Sequence, residues 1–187
     1  MKTSTLNIGR IVFMMGFLMI SLYSNSQDVK LSRKEQKEAK KDREFFNFQS
    51  LDTLLKSKNF ILSADFLDNQ YGNRTPVLSD INFIKVDSTD AVLQTGSMTN
   101  LGMNGVGGAT AEGSIRGFKM VKNLKNLSFN IRFTIVTDIG IYDVSMLIYS
   151  DRNARATITG LTRGELTYEG HIKPTYGSHI YKGHNSI

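Results

Sequence analysis

The chain contains no cysteine in 187 residues. That excludes disulfides, lipid attachment at a cysteine, and thiol nucleophiles. Long apolar runs are also missing. The longest, "IVFMMGFLMISL" from Ile11 to Leu22, is about 12 residues, where a transmembrane helix needs about 20. The spacing signatures of common hydrolases are absent too: there is no H-E-x-x-H and no G-x-S-x-G. Proline and glycine are absent between Lys30 and Asn59, so nothing in that stretch breaks a helix.

What is present begins with an ordered N-terminus. Lys2 and Arg10 flank the short apolar run on its N-terminal side, and the small residues Ser24 and Ser26 follow it. That sequence of charge, apolar core and small-x-small predicts a secretory signal peptide over residues 1–26, cleaved near Ser26–Gln27. The expected product is a periplasmic or secreted protein with no transmembrane segment after signal removal. Losing Lys2 and Arg10 lowers the formal charge from +6 to +4. The excess is modest and no nucleic-acid-binding motif accompanies it, so nucleic acid is not an expected partner.

Two zones follow. Residues 27–44 read as a charged helical stalk, the start of a helix over Lys30–Asn59. Ser32 and Glu35 have capping-box spacing. At 100° per residue Lys30, Arg33, Lys34, Lys37 and Lys41 share one face, with acidic residues a quarter-turn away. From Phe45 an apolar stripe of Phe45, Phe48, Leu51, Leu54 and Leu55 requires a packing partner, and Asn59 is a suitable left-handed stop. Residues 45–187 form a single α+β domain ending in a Gly/His/Tyr-rich tail. Within it, "LSFNIRFTIVT" alternates Leu127, Phe129, Ile131, Phe133 and Ile135 with polar residues, the period of a half-buried strand. "IGIYDVSMLIYS" and "ELTYEGHIK" alternate likewise. Short connections between such segments imply antiparallel hairpins. The expected architecture is an N-terminal helix packed on a curved, mainly antiparallel meander of about seven or eight strands.

"NGVGGATAEG", residues 104–113, invites a phosphate-binding reading. The third glycine of G-x-G-x-x-G is missing after Gly105 and Gly107, no P-loop lysine follows, and the run continues as a strand rather than a helix. A structural reading accounts for more. Asn104 and Gly105 suit a positive-φ turn, and Gly107 and Gly108 allow angles closed to other residues. Ala109, Ala111 and Gly113 then continue as a strand face of small residues, suited to close approach by the Phe45–Leu55 helix.

Several of these segments, in order, resemble one family. "LSRKEQKEAKK", "FILSADF", "INFIKVD", "AVLQTGS" and "NGVGGATAEGSI" are similar to domain of unknown function 4251, found in exported proteins of Bacteroidetes-type bacteria. The closing "GHIKPTYGSHIYKGHNSI" departs from that pattern. The resemblance implies an envelope location and one domain, and it supplies no catalytic residues to carry over.

Candidate chemistry is sparse. His171, His179 and His184 lie close together in sequence without metal-ligand spacing, so no metal and no cofactor is expected. Glu165 and Glu169 share a strand face but stand roughly 13 Å apart along it, too far for a glycosidase pair. The cationic stripe of Lys30, Arg33, Lys34, Lys37 and Lys41 is a candidate contact for an anionic surface. Tyr176 and Tyr181 are candidates for stacking on a ligand. The expected function is a non-catalytic envelope protein, a binding or assembly module for an unknown envelope ligand or protein. The alternatives are an exported hydrolase using Asp/Glu groups, or a structural partner protein that dimerises.

Overall fold

A computed structural model describes residues 32–97, 102, 104–161 and 164–186. The expected signal segment and cleavage site, and Lys30, lie outside these. Among the described residues one helix, α1 (Arg33–Lys56), is followed by nine strands. The helix opens on the expected capping box: the Glu35 amide donates to Ser32 Oγ at 3.3 Å, and the Ser32 amide donates to Glu35 Oε2 at 2.7 Å. Hydrogen bonding to the carboxylate by the Ser32 amide first, and then by the Ser32 side chain, holds the Glu35 carboxyl below its usual range. At the other end the left-handed residue is Lys58, with φ of 52°, rather than Asn59, which already begins a strand.

The strands are β1 (Asn59–Asn69), β2 (Arg74–Pro76), β3 (Phe83–Asp87), β4 (Asp90–Gln94), β5 (Thr110–Asn123), β6 (Ser128–Thr137), β7 (Gly140–Tyr149), β8 (Asn153–Leu161) and β9 (Gly164–Pro174). Every pairing between them is antiparallel, in the order β2-β1-β3-β4-β5-β6-β7-β8-β9. The expected helix and antiparallel meander are present. The curved sheet does not stay open, however. β1 also pairs with β9, from Phe60 opposite Pro174 to Asn69 opposite Leu166, and closes eight strands into a barrel. The ninth, β2, takes over the edge of β1 beyond the point where β3 ends. Closure requires the strands to tilt and turn corners, and three bulges supply this: at Asp65, at Gly117–Phe118 and at Thr159–Gly160.

The alternation read from the sequence becomes the barrel interior. Phe129, Ile131, Phe133 and Ile135 of β6, Tyr142, Val144, Met146 and Ile148 of β7, and Tyr168 and Ile172 of β9 are buried. With Phe60, Leu62, Ile84 and Val86 they form one cluster, so the barrel is a packed core. Helix residues Phe48, Leu51 and Leu55 join that cluster, and Phe48 stacks on Phe129 at 4.5 Å. Asp52 and Lys122 pair beside this contact, and Lys122 lies opposite Phe129 in the sheet. The helix therefore packs at the end where β6 begins and β5 finishes. The apolar stripe is narrower than expected: Phe45 is half exposed.

Candidate functional site

The other end of the barrel carries the features that suit a ligand. There the small-residue run, the C-terminal tail and a surface groove meet, and the run is built around one asparagine. Asn104 is fully buried, and its φ is not positive; the left-handed positions are Gly105 (76°) and Gly107 (87°). Asn104 Nδ2 donates to the Thr95 carbonyl and to Thr110 Oγ1, each at 3.0 Å. Its Oδ1 accepts from the amides of Val106 and Gly108, each at 3.0 Å. Two of the loop's amides are thus spent on the loop itself rather than offered to a phosphate. Ala109 exchanges hydrogen bonds with Thr95, and Ala111 is buried in the core cluster.

The neighbour that requires small residues differs from the expected one. A Cβ on Gly113 would collide with the carbonyl of Val136 in β6, and one on Gly108 with the carbonyl of Thr95. The close approach is strand to strand, as a tightly coiled barrel demands. The helix meets β5 instead near its C-terminal end, through Lys122.

The Gly/His/Tyr-rich tail is docked. Ile180 packs on Ile61, Phe83 and Val92, which point outward from the barrel. Gln94 anchors the chain beside it: its Nε2 donates to the carbonyls of Tyr181 (2.8 Å) and Ile81 (3.0 Å). Its Oε1 accepts from the Gly183 amide (2.8 Å) and the Thr110 hydroxyl (3.0 Å). The His184 amide donates to the Asn104 carbonyl, and Ser186 exchanges bonds with Thr110. Every polar atom of the Gln94 side chain is matched, which is what allows it to be buried. From the inner side, the buried Tyr168 hydroxyl donates to the Gln94 carbonyl at 3.0 Å; burial pushes its pKa up.

Beside this network lies a groove of about 620 Å³ between β1, β2, the segment leading to β3, the residues after β4, and β9. Leu67, Val77, Leu78, Ile81 and Leu166 give it an apolar lining, and Asn69, Asn73, Thr75 and Ser97 add polar groups. Its walls are fixed. Buried Asn82 donates through Nδ2 to the Leu78 carbonyl and accepts from the Gly96 amide, both at 2.9 Å. A side chain at Gly96 would fill the space held by Ile81. Asn69 Oδ1 accepts from the amides of Tyr71 and Asn73, tightening the β1–β2 turn.

The remaining predicted residues are dispersed. Arg33, Lys34, Lys37 and Lys41 are exposed along α1. Tyr176 and Tyr181 are exposed on the docked tail. Among the described residues no group of three or more His, Asp or Glu side chains has metal-binding geometry. His171 faces Asp65 at 3.5 Å on the outer surface. One charged cluster escaped the sequence reading. Arg74 clamps Asp68 with two bonds of 3.0 and 3.2 Å, also meets Glu169, and lies over the Phe66 ring. Arg155 adds a second cation 3.5 Å from Asp68. Bonding to Arg74 outweighs burial and holds the Asp68 carboxyl below its usual range. The β1–β2 hairpin sets Arg74 opposite Asp68, and closure of β1 against β9 then brings in Glu169, with Arg155 opposite it on β8.

A family model for domain of unknown function DUF4251 matches residues 42–172. The chain belongs to the DUF4251 family. A crystal structure of a DUF4251 family protein from Bacteroides eggerthii is similar, with a TM-score of 0.60 at 25% identity, covering 72% of this chain and 92% of that one. No curated protein matches the sequence. The docked tail, 175–186, lies beyond the residues matched by the DUF4251 model.

Proposed function

We propose that this DUF4251 protein is a non-catalytic binding module of the cell envelope that holds the apolar portion of an amphipathic ligand in the groove at the barrel mouth. The observation that carries the reading is the groove itself. Its volume of about 620 Å³ lies in the range of small-molecule sites, it is concave and mainly apolar, and a few polar groups stand at its rim. The filled barrel interior leaves the mouth as the place for such a ligand. Export is supported by the charge, apolar run and small-residue order at the N-terminus.

The hydrolase alternative has less support. A general acid needs a raised carboxyl pKa, and Asp68 is shifted the other way by Arg74. Glu112 and Asp143, which lie far apart in sequence, have separate partners in Lys182 and Thr134.

The test is a titration with a fluorescent fatty acid, using the full chain and the variant Leu78→Asp. Leu78 is 45% exposed on the groove rim, so the change leaves folding intact. The expected outcome is saturable binding to the parent chain and at least about tenfold weaker binding to the variant, with melting temperatures within a few degrees. Equal binding to both, or none to the parent, refutes the groove as the site.

A further inference from the structure

Ion pairing on the outside of the barrel is uneven. Arg74 and Arg155 face Asp68, Lys85 faces Asp87, and Lys182 faces Glu112. Arg116, Lys119 and Arg132 are exposed and have no ion-pair partner among the described residues. Their grouping depends on a bulge. In a regular strand residues three apart point to opposite faces, which would separate Arg116 from Lys119. Here Arg116 lies opposite Thr134 and Lys119 opposite Arg132, so Gly117 and Phe118 together face Phe133 alone. Gly117 takes the positive φ of 63°, and Phe118 turns inward to stack on Phe133 at 5.8 Å. The extra residue re-aims Lys119 onto the face that carries Arg116 and Arg132.

The cross-strand rows continue with hydroxyls. Arg132 lies opposite Ser145 and Ser145 opposite Thr157; one row away, Thr134 lies opposite Asp143 and Asp143 opposite Thr159. A groove of about 430 Å³ crosses these rows, lined in part by Lys119, Arg132, Thr134, Ser145 and Thr157. Its one carboxylate, Asp143, accepts a 2.6 Å bond from the Thr134 hydroxyl.

We propose that this groove binds an acidic polysaccharide. Arg116, Lys119 and Arg132 meet its sulfate, phosphate or carboxylate groups, and Ser145, Thr157 and Thr159 meet its hydroxyls. Three unpaired cations sharing one face through a bulge give the charge complementarity, and hydroxyls about 4.8 Å apart across the strands, in rows about 6.7 Å apart, match a polyhydroxylated chain. Single-stranded nucleic acid is disfavoured because no exposed aromatic ring lines the groove for bases to stack on. A bilayer is disfavoured because insertion needs an apolar face, and the groove is lined by hydroxyls and charges. The site lies on a different part of the barrel from the apolar mouth groove and does not depend on it.

The test measures binding of a labelled heparin oligosaccharide at low ionic strength. The parent chain should bind saturably and weaken as salt is added, and R116Q/K119Q/R132Q should bind at least about tenfold more weakly. D143N, which removes the one repelling carboxylate, should bind more tightly. R33Q/K34Q/K37Q, on the helix, should bind like the parent. If the triple barrel variant fails to fold, K119Q and R132Q taken singly carry the same test. No saturable heparin binding overturns the proposal, as does loss in the helix variant without loss in the barrel variants. Tighter binding of oligo-thymidylate or of phosphatidylglycerol vesicles through the same residues overturns it in favour of nucleic acid or a membrane.

Discussion

Asp68 shows how single residues are set by their neighbours in this barrel. It is almost wholly buried on the outer side of β1, and Arg74 keeps its carboxyl ionised well below the ordinary carboxylate range. The linkage sign follows. The unfolded chain takes up this proton near pH 4, before the folded chain does, so the stabilisation is complete above about pH 4 to 5 and is lost as pH falls through the folded value. Thermal unfolding at pH 7 and pH 3 should therefore show a marked drop for the parent chain. Asp68→Asn, which starts lower at pH 7, should fall by clearly less; equal drops in both would remove Asp68 from the account. Asn104 and Gln94 carry the same lesson without charge. As letters in a sequence they are a turn residue and an ordinary polar strand residue. In the fold each satisfies four partners: those of Asn104 all lie within nine residues of it, whereas two of those of Gln94, Tyr181 and Gly183, come from the docked tail.

At the scale of elements, sequence pattern and structure agree wherever the pattern is local. The period-two runs of β6, β7 and β9 place their apolar residues inward, and Ser32 with Glu35 starts the helix. The helix face was legible only in part. Phe48, Leu51 and Leu55 are buried while Phe45 and Phe46 remain exposed, because the helix rests against a barrel end rather than along a sheet face. Leu51→Ala should cost about 2–5 kcal/mol, whereas Phe46→Ser should stay within about 0.5 kcal/mol. Ala111→Leu should cost about 1–3 kcal/mol, through overpacking of the barrel interior. Urea unfolding of the three variants measures all of this, and a Phe46→Ser loss as large as that of Leu51→Ala would contradict the helix placement.

For the molecule as a whole, the decisive event is the pairing of β1 with β9, whose partners stand about a hundred positions apart. A one-dimensional pattern records which face of each strand is apolar, but it holds no information on which edge strands meet. Everything assembled by that meeting was therefore invisible beforehand: the approach of Glu169 to the Asp68–Arg74 pair, the wall formed by Leu67 and Leu166, and the groove they help to line. The docked tail was missed for a related reason. Its residues look polar and irregular, and only Ile180 seated on Ile61, Phe83 and Val92 shows that it covers barrel surface. The proposal that the barrel mouth holds an amphipathic molecule is tested most directly by native mass spectrometry of the protein purified from its own producing cells. The predicted result is a population carrying one small-molecule adduct, lost on mild activation and strongly reduced in Leu78→Asp. Bare protein in both samples, or an adduct equally retained by the variant, would contradict it.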